Sequence, residues 1–104
     1  MELKDIKAVY FIGAGGIGMS AIARYFIHRG VVVAGYDRTP SALTKQLEKE
    51  GMLIHYDENV DEIPHACRDK ATCLVVYTPA IPAAHKELTW FRDNGFEVQK
   101  RAQV

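Results

Sequence analysis

The chain carries no net charge, its 13 lysines and arginines being matched by 13 aspartates and glutamates. It therefore has no overall field to draw a nucleic acid or an anionic membrane surface, and neither is expected as a partner. No apolar run approaches the roughly 20 residues needed to span a bilayer. The opening MELKDIKAVYF lacks the basic, apolar and small-residue succession of a secretory signal. Cysteine is scarce: Cys67 and Cys73 form no C-x-x-C and accompany no paired histidines, which argues against a disulfide framework or a zinc site. They read as idle, buried thiols of a cytoplasmic protein. The four histidines, at 28, 55, 65 and 85, are scattered and suit surface or packing roles, and Tyr77 and Trp90 suit a core. Repeats and low-complexity segments are absent. A length of 104 residues allows one domain with a modest core.

What is present is a regular alternation. Residues 8–13 (AVYFIG), 31–36 (VVVAGY), 53–56 (LIHY), 73–78 (CLVVYT) and 96–101 (FEVQKR) read as strands. Helices are expected from about Gly16 to His28, with Ile22, Tyr25 and Phe26 at i, i+3, i+4, and after Thr39-Pro40, with Leu43 and Leu47 inward. A third is expected over 83–95, with Leu88 and Phe91 inward. Gly30, Gly51 and Gly95 follow the helices as left-handed stops. The stretch 57–70 reads as a polar loop with one short helical turn. Continuous apolar strands are buried on both faces, as in a parallel sheet covered by helices. With right-handed crossovers the pattern predicts an α/β, doubly wound, Rossmann-like domain whose five parallel strands run in the order 3-2-1-4-5. The chain stops at Val104, directly after the fifth strand, so 1–104 is expected to be one domain cut from a longer protein.

Four glycines fall within positions 13–18. Gly13-x-Gly15-x-x-Gly18 joins an expected strand to an expected helix, the context that a phosphate-binding turn requires. The first glycine permits the turn, the second is expected to keep clear the space of a diphosphate, and the third to let the helix sit close to the first strand. N–H groups at the helix start, and the helix dipole, favour an anion there. Asp37 ends the second strand, where a carboxylate can accept from a ribose or a base. Arg38 beside it could stack on a base, face a phosphate or sit in water. These features specify a nucleotide with a diphosphate. They leave open a nicotinamide-dependent dehydrogenase or a nucleotide-sensing regulatory module.

The longer string FIGAGGIGMSAIAR (11–24) narrows the choice. Its doubled glycine followed by Gly18-Met19-Ser20 resembles the N-terminal loop of the Mur ligase family of peptidoglycan synthesis. VAGYD (33–37), VVYTPAI (75–81) and KRAQV (100–104) resemble further stretches of that family in order and spacing. The likeness runs the length of the chain and is strongest to the alanine-adding branch. The branch that attaches a whole recycled peptide carries a cysteine and a phenylalanine in the loop, and this chain carries neither.

The resemblance implies an enzyme that activates the carboxylate of UDP-N-acetylmuramate with ATP and magnesium, forming an acyl phosphate that the amine of L-alanine attacks. It implies that this first domain holds the UDP, and that the ATP-binding and alanine-binding domains lie elsewhere in the protein. By analogy Gly13, Gly15, Gly16, Ile17, Gly18, Met19 and the Ser20 hydroxyl face the diphosphate. Asp37, Arg38 and Thr39 lie beside the uridine, and Thr78, Pro79, Ala80 and Ile81 form the opposite wall. No catalytic residue and no metal ligand is expected in this chain, nor any cofactor site: it has no Gly-x-x-x-x-Gly-Lys-Ser/Thr loop for ATP phosphates. Alone it is expected neither to ligate alanine nor to hydrolyse ATP. Two departures stand out. Ala14 replaces a frequent isoleucine, and Thr78-Pro79 replaces a serine pair, which keeps one hydroxyl and removes an N–H.

Overall fold

The computed structural model describes residues 2–16 and 18–101. Five strands, β1 (Ala8–Ile12), β2 (Val32–Tyr36), β3 (Leu53–His55), β4 (Cys73–Tyr77) and β5 (Glu97–Lys100), alternate with three helices, α1 (Met19–His28), α2 (Ala42–Lys49) and α3 (Lys86–Asp93). The sheet runs β3-β2-β1-β4-β5, as expected, and every pairing is parallel. The register sets Ile12 beside both Tyr36 and Tyr77, so the carboxyl ends of the three central strands finish level. That common edge is where a doubly wound sheet opens a crevice.

The strand period of two sorts the core into two layers. Val9, Phe11, Val33, Leu74 and Val76 face α1 and α2, whose Met19, Ala23, Phe26 and Leu47 cover them. Tyr10, Ile12, Ala34, Val75 and Tyr77 face α3, which contributes Leu88 and Phe91. Both cysteines are buried on the α3 side as free thiols.

Local chemistry shifts several expected boundaries. α1 begins at Met19 rather than Gly16, because Gly18 adopts φ +80° at its N-cap, outside the helical region. Its inward stripe is Met19, Ala23 and Phe26, not one including Tyr25, which is exposed with the Arg29 guanidinium 5.5 Å from its ring centre. The cap of α2 is Ser41 and not Thr39. Ser41 and Thr44 close a reciprocal capping box, while the Thr39 N–H is taken by Asp37. α3 starts three residues later than expected, behind its N-cap His85. The polar stretch 57–70 holds two short 3₁₀ turns, Val60–Glu62 and His65–Cys67, rather than one.

Candidate functional site: a cleft at the carboxyl edge of the sheet

A cleft of about 480 Å³ opens over the carboxyl ends of β1, β2 and β4. Its first wall is the glycine turn after β1, and the chain holds that turn from within. The N–H groups of Gly13 and Ala14 both donate to Tyr36 O, at 2.8 and 2.9 Å, so the turn hangs from the end of β2. Gly16 N–H donates to Gly13 O at 2.9 Å and Met19 N–H to Gly16 O at 3.1 Å. Gly15 N–H donates to Asp37 Oδ2 at 2.6 Å, and the other oxygen of that carboxylate accepts from Thr39 N–H at 3.0 Å. Asp37 therefore ties the glycine turn to the start of the α2 loop, in addition to presenting a carboxylate at the cleft.

The glycines also have roles within the protein. A side chain on Gly15 would come within 2.8 Å of Asp37 Oδ2 and 3.1 Å of Thr44 Cγ2, so its bare Cα makes room for the Asp37 tether. Gly18 is required by its positive φ and by Arg101, whose Cδ would lie 3.0 Å from an added Cβ, rather than by close packing of α1 on β1. Gly13 is the most constrained of the three. It combines φ +93° with a Cβ position only 2.3 Å from Thr78 Cγ2 across the cleft floor.

The opposite wall follows β4. Thr78 is buried, donates its N–H to Ile12 O at 3.2 Å, and accepts on Oγ1 from Ala80 N–H at 3.0 Å. Its hydroxyl thus closes its own turn and sets Ala80 and Ile81 along the cleft. Of the residues singled out in the sequence, Gly13, Gly15, Gly16, Asp37, Arg38, Thr78, Ala80 and Ile81 line one cleft. Met19 has its side chain in the core, Ser20 is half-buried in the first turn of α1, and Thr39 is exposed. Pro79 faces a separate hollow with Tyr77 and Arg92. Ile17 and the residues after Arg101 lie outside the described residues.

Four cleft residues were not singled out as site residues in the sequence: Tyr36, Glu58, Pro82 and His85. Burial first, then the carboxylates of Glu58, Glu87 and Asp37, pushes the Tyr36 hydroxyl up from its ordinary pKa, so it meets a ligand as a neutral group. Arg101 is a further omission, a cation set against Gly18 at the edge of the glycine turn.

Behind the cleft lies a buried polar cluster. Glu87, fully buried in the first turn of α3, accepts from Tyr10 OH at 2.5 Å, pairs with His55 Nε2 at 2.9 Å, and accepts from Asn59 N–H at 3.0 Å. It joins β1, β3, α3 and the loop after β3 into one unit. Among the described residues no group of three or more His, Cys, Asp or Glu side chains is placed to hold a metal ion. The sequence likewise contains no Gly-x-x-x-x-Gly-Lys-Ser/Thr loop. No described helix is long and apolar enough to cross a membrane.

A five-stranded parallel sheet in this order, with a glycine turn and a strand-end aspartate at its switch point, defines a Rossmann-like α/β domain. Residues 8–104 match the model of the Mur ligase family, catalytic domain, and the chain belongs to that family. Over all 104 residues it is 62% identical to the UDP-N-acetylmuramate–L-alanine ligase of Phocaeicola vulgatus and 58% identical to that of Parabacteroides distasonis. The chain spans 23% and 22% of those proteins. The crystal structure of the UDP-N-acetylmuramate-alanine ligase of Thermotoga maritima superposes with a TM-score of 0.80 at 28% identity, covering 92% of this chain and 21% of that one. A ligase structure from Neisseria meningitides shares the fold at 18% identity, with a TM-score of 0.77 over 94% of this chain and 29% of its own. Membership of this family sets aside the dehydrogenase and regulatory-module alternatives.

The Asp37 tether yields a first prediction. Hydrogen bonds to a charged group contribute about 1.5–3 kcal/mol each when well formed. Asp37→Ala is expected to lower stability by roughly 1.5–3 kcal/mol in urea unfolding with no nucleotide present. An unchanged urea midpoint would reduce Asp37 to a ligand contact.

Proposed function

We propose that this chain is the nucleotide-binding domain of an ATP-dependent ligase that joins L-alanine to UDP-N-acetylmuramate, and that its cleft holds the UDP. One observation carries the reading. The glycine turn, the aspartate at the end of β2 and the Thr78–Ile81 turn converge on one cleft at the switch point, in a chain of the Mur ligase family. The amides of Gly15, Gly16 and Met19 already have acceptors within the chain. The diphosphate therefore draws on the remaining N–H groups of the first turn of α1, on the Ser20 hydroxyl and on the nearby Arg101. Arg38 and Asp37 flank the ribose, and Ile81 supplies an apolar wall. ATP, magnesium and the amine are handled by other domains of the ligase, and the chain's own share is to bind and orient the nucleotide.

Calorimetric titration of the purified chain tests this. UDP and UDP-N-acetylmuramate are expected to bind more tightly than NAD, NADP or ATP. Tighter binding of NAD than of the UDP-sugar would overturn the reading.

A further inference from the structure

β3 is an edge of the sheet, with a neighbour only on its β2 side. His55 O accepts from Asp37 N–H at 3.2 Å, so the backbone of His55 faces the end of β2. Successive residues of a strand turn their backbone groups to opposite sides. Ile54 therefore points its N–H and C=O away from β2, to the side where no strand stands. An open row of this kind is a template for a further strand.

A groove of about 360 Å³ runs along this edge and shares no lining residue with the cleft. Glu48 and Met52 line it from the α2 side of the sheet, and Glu62 and Pro64 from the loop after β3. Leu53 lies on the strand between them. At 56% exposure it is the most open large apolar side chain among the described residues.

Charge decides what suits the groove. Its lining holds two carboxylates and no lysine or arginine. Glu48 is met by Lys45 Nζ at 3.4 Å and by the Tyr56 hydroxyl at 3.0 Å. The exposed Glu62 carboxylate has no ionic or hydrogen-bonded partner among the described residues. Asp57, Glu58 and Asp61 precede it in the same loop. A second copy pairing β3 with β3 would gather the carboxylates of both copies along one edge, and like charges across neighbouring strands are destabilising. A basic strand meets attraction at the same places.

We propose that the β3 edge docks an extended segment of a partner protein in which an apolar residue is flanked by lysine or arginine. The backbone of the segment bonds the Ile54 N–H and C=O, its apolar side chain covers Leu53, and its cations meet Glu62 and Glu48. This is strand addition, in which main-chain bonds hold the segment and alternate side chains select it. With three residues in β3 the added strand is short. The assignment is independent of the UDP reading.

The test titrates the isotope-labelled chain with the peptide acetyl-Lys-Val-Lys-Val-Lys-amide, followed by amide resonances and by hydrogen exchange. Its acidic counterpart, with Glu for each Lys, is the charge control. Two Lys peptides N-methylated on alternate residues, one in each register, are the backbone controls. The Lys peptide is expected to bind more tightly than the acidic one, to shift the Ile54 amide and to slow its exchange. One methylated register is expected to lose binding and the other to keep it, because only alternate residues face β3. Glu62→Lys, at an exposed position, exchanges an attraction for a repulsion, each worth up to about 5-fold. It is expected to weaken the Lys peptide by roughly 5- to 25-fold and to strengthen the acidic one, with a melting temperature near wild type. A Lys peptide that leaves Ile54 unmoved overturns the assignment. Equal binding of both methylated peptides reduces it to charge attraction and also overturns it. Self-association that shifts Ile54 as the chain is concentrated gives the edge to a second copy instead. Failure of the longer ligase containing this domain to bind the peptide would give the edge to the ligase's own chain, and the proposal falls.

Discussion

Replacing Glu87 with alanine is expected to cost about 3–5 kcal/mol, the range for removing one partner from a buried charged cluster. The carboxylate is fully buried and is the shared acceptor for Tyr10 OH, His55 Nε2 and Asn59 N–H. Its removal strands donors on β1, on β3 and in the loop after β3, while opening a cavity beneath α3. Domains of this size are stable by only about 5–15 kcal/mol, so the variant is expected to lose a large fraction of its stability. Glu87→Gln keeps the shape and one acceptor, and is expected to lose less than half as much. Urea unfolding followed by circular dichroism measures both; an alanine variant within 1 kcal/mol of wild type would mean that water replaces the carboxylate. The cluster also has a pH signature. Burial and the adjacent Glu87 push the Tyr10 hydroxyl far above its ordinary range. Its folded pKa is raised, so its contribution is fully present below about pH 10 and is lost as pH rises beyond that. Stability is expected to fall above pH 10, and less steeply in Tyr10→Phe.

Gly13→Val is expected to abolish nucleotide binding and to destabilise the domain by roughly 2–5 kcal/mol, from left-handed strain and overpacking together. The backbone there has φ +93°, and the new Cβ would stand 2.3 Å from Thr78 Cγ2, so either the glycine turn or the Thr78 turn must move. Both are cleft walls, and a shift of either changes the shape of the cleft in which the nucleotide is proposed to bind. Gly30→Ala is the control. It carries a similar strain at φ +78° but meets no atom within 4 Å, far from the cleft, so only about 1 kcal/mol of stability is expected to be lost. Melting curves and UDP titration of the two variants separate strain from cleft geometry. Normal UDP binding by Gly13→Val would show that the turn does not shape the site.

A good part of the fold was legible because its signals are local. The apolar runs at 8–13, 31–36 and 73–78 are long enough to identify strands buried on both faces, and right-handed crossovers then leave few strand orders. The convergence of the glycine turn and Asp37 on one cleft was legible for the same reason: a strand, a turn and a helix start are consecutive in the chain. Helix limits were less legible. The run from Gly16 promised helix, but the left-handed Gly18 delays it, and an i, i+3, i+4 pattern containing Tyr25 fits the helical period as well as the true stripe does.

Hydrophobic periodicity says which face of an element is covered, but not by what. A glutamate in the first turn of a helix reads as a solvated residue near the helix dipole. Only the stacking of α3 over β1 and β3 buries Glu87, against Tyr10 and His55, 77 and 32 residues away. Histidine is a weak indicator of an N-cap, so nothing in the local sequence marked His85 or set it beside Glu58, 27 positions earlier. The tether from Gly15 to Asp37 spans 22 residues and depends on the level ends of β1 and β2. The sequence by itself determined the sheet, its order and the position of the glycine turn, since these follow from period and local backbone freedom. Which polar groups meet at the cleft and beneath it was decided only by tertiary structure, because hydrogen bonds between distant residues depend on strand register and helix placement to within an ångström.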